Sequence, residues 1–543
     1  MSSSDPILDQ LRVKLKNVTV TDKTLLDDKT PPDVIVTNEP RTPVVDPTMG
    51  IPVTSNAQGT PLHRLVTIGD SLTHGFQSGA IFNTHISYPA IIAYEMGWLD
   101  QFRRPSYRGF GGLPLNIEFL LRDLEDRYGS RVDWWEAALA AFRVRHYMGE
   151  IEDWWERGPG NSFPNLKGIN HNLAVYGWDL RDALSRDADL CHKEIPKPKD
   201  QFLKQIVENA NQRAAIYVLE SARNSAGLAL TPFQAAAALA DEGEIETLIV
   251  LLGANNALGS VVNLKVAWSG DGYDDLQKKQ AYTVWRPIHF KAELDKVVAE
   301  VEKIRARHVI WGTVPHVTIA PIARGVTKNK ISVGSRYFPF YTRPWIADGD
   351  FDAKDDPNIT SQQARAIDSA IDQYNYYLEN AVSTARHKGL DWYLLDVAGM
   401  LDRLASRRYI DDLAARPSWW SKYQLPPELM MLNPVPDSKF FVSDKSGRIA
   451  GGLFSLDGVH PTTVCYGLLA QEFINIMQRA GVRFYLGDGK TVRSSPVKVD
   501  FTRLIKSDTL ISDPPKSIKS DLKLLGWADE KIDFIRRMLR RGV

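Results

Sequence analysis

Arg64-Leu65-Val66-Thr67-Ile68-Gly69-Asp70-Ser71 is the stretch that decides the fold. Leu65 to Ile68 is a short, wholly apolar or β-branched run, and it stops at a Gly-Asp-Ser turn. A strand exposed on one face alternates apolar with polar residues, whereas a strand covered on both faces does not. The run therefore predicts a buried parallel strand that ends in a functional loop. Four further runs have the same character. Leu173-Ala174-Val175-Tyr176 ends at Gly177, and Leu248 to Leu252 ends at Gly253. Val309-Ile310-Trp311 leads into Gly312-Thr313-Val314-Pro315, and Trp392 to Leu395 leads into Asp396.

Helical spacing fills the intervals. Phe290, Leu294, Val297, Val298, Val301 and Ile304 precede the run at Val309; Ile367, Ile371, Tyr374, Leu378 and Val382 precede the run at Trp392. Thr360 and Ser361 stand where an N-cap is needed for the second of these helices. Strand–helix–strand alternation predicts an α/β class with a doubly wound parallel sheet.

The remaining sequence is organised around this core. Residues 1–62 are rich in Pro, Thr and Asp without sustained periodicity, which predicts an extended or poorly ordered arm. The core domain is expected over 63–480, with insertions at about 100–165, 260–285, 318–358 and 403–452; only the first reads as mostly helical. Residues 481–543 form an extension with a hairpin expected around Leu486-Gly487-Asp488-Gly489. It ends in a helix that gathers Ile532, Ile535, Met538 and Leu539 on one face beside four arginines. Such a helix could touch a membrane surface, but docking on its own domain is the favoured reading.

Composition narrows the function classes. The 543-residue chain carries 66 Lys plus Arg against 66 Asp plus Glu, so no net charge argues for a nucleic-acid partner. Cys191 and Cys465 are too few for a disulfide scaffold or a cysteine-rich zinc site. Metal-ligand spacings are missing, and Gly109 to Gly112 lacks the Lys-Ser/Thr of a phosphate loop. Neither a metal nor a cofactor is expected. The N-terminus has no signal-peptide pattern, and no run approaches the roughly 18 apolar residues of a spanning helix. The expected location is cytoplasmic, with signal-independent export left open, and the oligomeric state is not legible.

In sheets of this type ligands bind beyond the carboxyl ends of the strands. Those ends offer Ser71, Gly177 and Asn255, and the loop before the last core helix offers Asp457 and His460. These are the parts of an acyl-transfer site. A serine hydroxyl needs a base to take its proton, and an imidazole, titrating near 6.5, suits neutral pH. The imidazole needs a carboxylate to set its tautomer, and Asp457 lies three residues before His460, with Gly458 between. The N–H groups of Ser71 and Gly177 and the side-chain amide of Asn255 could supply an oxyanion hole. His316, at a strand end, and Trp178 could line a substrate pocket; for His316 and His74 the default reading is structural.

Four blocks resemble those of the GDSL, or SGNH, hydrolases. They are Gly69-Asp70-Ser71-Leu72, Asn172 to Gly177, Gly253-Ala254-Asn255-Asn256 and Asp457-Gly458-Val459-His460-Pro461, in the family's order. The resemblance implies a three-layer α/β/α sandwich with a flavodoxin-like parallel sheet. It also implies an esterase or lipase acting on lipid, lysophospholipid or acetyl esters through an acyl-enzyme. Ser71 would be the nucleophile, His460 the base and Asp457 its orienting acid, with Gly177 and Asn255 completing the oxyanion hole. The same site could serve an acyltransferase, and an inherited hydrolase core could serve as a membrane-surface or protein-binding module. Asn256 departs from the family, in which Asp often follows the block Asn. The long segment between Ser71 and Gly177 also departs from it. Residues 100–165 and 403–452 are expected to wall the cleft.

Overall fold

Continuous apolar runs can be buried only if both faces of the sheet are covered, and the computed structural model has that form. It describes residues 6–54, 59–107, 109, 111–132, 135–163, 167–195, 207–327, 329–519 and 526. Strands β1 (His63–Gly69), β2 (Ile245–Leu251), β3 (Ala306–Gly312) and β4 (Trp392–Leu395) pair in that order, all parallel. Ile68 lies beside Val250, which in turn lies beside Trp311. Successive side chains point to opposite faces. Val66, Ile68, Leu248, Val250, Val309 and Trp311 therefore enter one core, and Leu65, Ile249, Leu251, Ile310, Tyr393 and Leu395 enter a second.

Helices cover both faces. Numbered in chain order, they are α1 (Tyr88–Glu95), α2 (Pro232–Gly243), α3 (Pro287–Glu302), α4 (Ser361–His387), α5 (Val397–Leu404) and α6 (Thr463–Arg479). Phe233 of α2, Phe290 of α3 and Ile367 of α4 pack into the first core. Ile91 of α1, Met400 of α5 and Phe473 of α6 pack into the second. The α4 terminus is a capping box between Thr360 and Gln363, so Thr360 is the cap and Ser361 the first helical residue. The molecule is thus α/β with a parallel central sheet and helices, an arrangement compatible with three α/β/α layers.

The run at Leu173–Tyr176 departs from the expected strand. The segment does lie along β1: Leu173 N–H donates to Thr67 O at 2.8 Å, and Val175 N–H donates to Gly69 O at 3.2 Å. Only one parallel bridge forms, between Thr67 and Asn172. Asn172 explains the irregularity. Its side-chain oxygen accepts from Ala174 N–H at 3.2 Å, and its amide donates to Thr73 O at 2.9 Å. A short polar side chain thereby bends the backbone out of the ladder.

The N-terminal arm is a strap, with a helix at Pro6–Leu15 followed by docked extended chain. Leu8, Leu11 and Ile35 are buried together. Side chains of α4 satisfy the strap's backbone: Gln373 Oε1 accepts from Ile35 N–H at 2.7 Å and Ser369 Oγ from Thr37 N–H at 3.1 Å. Arg41 pairs with Glu379 at 2.7 Å and also with Asp396. Leu8 and Leu11 share one face of a helix only 10 residues long, and the docked chain beyond it has no common period, so sustained periodicity does not reveal the strap.

The first insertion is helical at Ile117–Tyr128 and Ala137–Glu156. The third and fourth carry short antiparallel strands, including Phe340–Thr342 and a hairpin of Val442–Asp444 with Gly447–Ala450. A tight turn closes at Leu486, whose N–H donates to Thr491 O at 2.8 Å. The basic helix expected around Ile532 lies outside the described residues. Among the described residues no helix is long and apolar enough to cross a membrane, and both cysteines are free thiols.

Candidate active site

The carboxyl end of β1 presents Ser71. Gly69 is required there because a Cβ would lie 2.2 Å from Thr73 Oγ1 and 2.6 Å from Leu251 O. Asp70 caps the helical turn Ser71–His74 by accepting from Leu72 N–H at 3.1 Å. Burial pushes the Asp70 carboxyl up to about 6. Its work is to shape the turn.

The loop before α6 presents His460. Asp457 Oδ1 accepts from the N–H groups of Val459 at 2.9 Å and His460 at 2.8 Å. Asp457 Oδ2 accepts from Gly79 N–H at 3.0 Å and contacts His460 Nδ1 at 3.0 Å. Burial alone would raise this carboxyl, but the imidazole and the backbone donors outweigh it and hold it below the usual carboxylate range. An ionised carboxylate only accepts, so the Nδ1 proton belongs to His460 and Nε2 is left as an acceptor. Ser71 Oγ lies 2.8 Å from that Nε2. Phe76 packs on the imidazole with ring centroids 4.5 Å apart, which fixes the ring plane. Serine, imidazole and carboxylate are all buried.

Gly177 follows the irregular edge segment with φ 74°, a conformation that favours glycine. Asn255 Nδ2 donates to Trp178 O at 2.9 Å, so the amide braces the loop that carries Gly177. An amide nitrogen carries two hydrogens, and one remains for a ligand. Gly177 and Asn255 line one small cavity, Ser71 and Ala254 line its neighbour, and Leu258 lines both. Asn256 is fully buried, and neither polar atom of its side chain has a partner among the described residues.

His74 is structural. Its Nδ1 accepts from Tyr176 N–H at 3.2 Å, and its Nε2 donates to Tyr107 Oη at 2.9 Å, which in turn donates to Ala214 O. Burial pushes it down to about 3, so it stays neutral. It braces the residue just before Gly177.

The cavity at Ser71 has a volume of ≈ 110 Å³ and a largely apolar wall that includes Leu258, Val397, Met400, Phe454 and Leu469. His316 lines it, as expected of a pocket residue. Trp178 does not: its indole is buried in the first core, and only its carbonyl serves the site. The cavity walls also differ from expectation. Residues 100–165 contribute none of them and 403–452 contribute Leu404 and Ser438, while most of the lining comes from the 315–320 loop, α5 and 453–469. Helices that follow the strands already enclose the space, leaving the first insertion to pack elsewhere.

Lys279 is a residue that sequence reasoning missed. Its ammonium is fully buried, 2.8 Å from both Asp179 and Asp182. It ties the second insertion to the helix Leu180–Ser185, directly after the Gly177 loop. A lysine in a polar segment carries no local signal of such a role. Among the described residues no cluster of His, Cys, Asp or Glu is suited to a metal ion. Compared with known proteins, the chain matches no family model and no curated protein.

Proposed function

We propose that this chain is a serine hydrolase of the GDSL/SGNH kind, an esterase or lipase that cleaves carboxylic esters through an acyl-enzyme. The observation that carries the reading is the relay Ser71 Oγ–His460 Nε2–Asp457, with links of 2.8 Å and 3.0 Å between ends of the chain 389 residues apart. The sheet supports it too. With segment 171–175 counted as the second strand, the order becomes 2-1-3-4-5, that of flavodoxin-like sheets.

In this reading Ser71 Oγ attacks the ester carbonyl carbon while its proton passes to His460 Nε2. Asp457 stabilises the resulting imidazolium and keeps the ring in register. The carbonyl oxygen, now negative, is met by the N–H groups of Ser71 and Gly177 and by the Asn255 amide. The imidazolium returns the proton to the departing alkoxide, leaving the acyl group on Ser71. Water, deprotonated by the same imidazole, then releases the acid. The apolar cavity favours a hydrocarbon acyl group and disfavours a charged group next to the reacting carbon.

Replacing Ser71 by Ala removes the nucleophile without touching the core. Turnover of p-nitrophenyl esters should fall by about 10³-fold or more, labelling by a fluorophosphonate probe should vanish, and the melting temperature should hold. A Ser71→Ala protein with full esterase activity would overturn the assignment.

A further inference from the structure

A second, larger cavity adjoins the apolar one. Its volume is ≈ 650 Å³, and Ser438 lines both cavities. The partition is short-range in sequence as well. Leu404 faces the apolar side while Ala405 to Arg408 face the other, and the 315–321 loop contributes to both. Ser438 and Ser406 hold the partition together, each backbone N–H donating to the other's hydroxyl at 2.8 Å and 3.2 Å.

The second cavity has a cationic wall. Arg324, Lys330, Arg336, Arg407, Arg408 and Lys439 line it, against Asp348, Asp411 and Asp412. Each of these carboxylates already has a cation: Asp348 pairs with Arg324 at 2.5 Å, Asp412 with Lys330 at 2.8 Å and Asp411 with Lys439 at 3.1 Å. Arg408 is matched by the buried Asp368 at 2.9 Å. Arg336 and Arg407 remain, and neither has an ion pair among the described residues. Arg407 donates to the carbonyls of Gly325 at 2.8 Å and Thr327 at 3.3 Å; Arg336 donates to Tyr337 Oη at 2.9 Å and Asn38 O at 3.3 Å. Burial and the neighbouring Arg324 disfavour the charge on Arg407, and the more distant Asp348 and Asp411 offset this only in part. Two guanidinium groups without a carboxylate at ion-pair distance, in a partly desolvated cavity, are suited to receive an anion.

We propose that this cavity binds the anionic group of the ester substrate, a phosphate, sulfate or carboxylate on a molecule whose acyl part lies in the apolar cavity. The substrate clause rests on the esterase reading; the anion site does not. The anionic group could sit at the far end of the acyl chain or on the alcohol.

Binding is tested without catalysis. The Ser71→Ala protein is titrated calorimetrically with inorganic phosphate and with hexyl phosphate. Saturable binding that weakens with salt is expected, and Arg407→Met should weaken it roughly tenfold or more. Lys439→Met, a change at a half-exposed side chain, should weaken it less and serves if the Arg407 variant does not fold. No saturable binding, or binding unaltered by both substitutions, overturns the site. With active protein, esters carrying a terminal carboxylate on the acyl chain and esters of a phosphorylated alcohol are each compared with uncharged analogues. The preferred series identifies where the charge sits, and that preference should shrink in Arg407→Met. Phosphate binding with no preference in either series would retain the anion site and overturn its link to the substrate. Phosphate binding by a protein inactive on all esters would retain the site and overturn the esterase reading instead.

Discussion

His460 and His316 line the same cavity, each about 3% exposed, and in each both ring nitrogens are hydrogen-bonded. Their partners differ by one group. His460 lies between a carboxylate and a hydroxyl. His316 lies between two carboxylates, with Asp372 at 2.9 Å from Nε2 and Asp402 at 3.2 Å from Nδ1. Burial alone would favour a neutral His316, but the two negative charges outweigh it and raise the group to about 10. A ring that donates from both nitrogens is a fixed cation and has no lone pair for a substrate proton. His460 faces one carboxylate only and keeps the lone pair of Nε2 directed at the Ser71 hydroxyl. Chemical role is therefore set by the second neighbour, not by residue type or burial.

The largest expected effect comes from breaking the reactive member of the pair. Asn in place of His460 keeps the loop's backbone hydrogen bonds but removes the base of the proposed mechanism, so on that reading ester turnover should fall about 10³-fold or more. The matching change, His316→Gln, takes the nearest cation from buried Asp402 and half-buried Asp372, leaving them, among the described residues, only Arg408 at 4.0 Å and Arg41 at 3.8 Å respectively. It should lower folding stability by about 3 kcal/mol, read by urea unfolding, while kcat/KM at low temperature stays within about tenfold of the parent. Equal activity losses in the two variants would mean that His316 takes part in the chemistry and that the contrast is false.

The relay was legible in the sequence because each of its members stands at a strand end or in the loop before the last core helix, where turn residues mark the position. The strands were legible because burial on both faces leaves an unbroken apolar run. The charge state of His316 was not legible. Asp372 lies within α4 and Asp402 within α5, and only the packing of those helices across the sheet edge brings them to the ring. The docking of the strap was hidden for a similar reason, since the acceptors that hold it, Gln373 and Ser369, lie more than 300 residues away. Trp178 was misplaced because a large aromatic beside a site glycine fits a pocket wall and a core equally well until burial decides.

A smaller effect sharpens the contrast through pH. The folded state raises the pKa of His316 above its ordinary value near 6.5, to about 10. Its contribution to stability is therefore complete below about pH 6.5 and is lost as pH rises through about 10. The melting-temperature gap between the parent and His316→Gln should narrow steadily from neutral pH to about pH 10.5. A gap that stays constant across that range would mean that His316 is not held as a cation.

The smallest change tests which carboxylate makes the difference. Asp402→Asn keeps an oxygen that can accept from His316 Nδ1 but removes its charge, so His316 comes to resemble His460 in facing one carboxylate only. An opposite charge within hydrogen-bonding range is worth about 1–3 pKa units. The ring titration, followed by NMR, should move down by about that amount, and the alkaline loss of stability should begin correspondingly earlier. The fold should tolerate the change, because the Asp402 main-chain carbonyl still accepts from Trp420 Nε1. If the ring titrates at an unchanged pH, Asp372 alone fixes the cation. The second carboxylate would then not be what separates the two histidines; the hydroxyl of Ser71 would be.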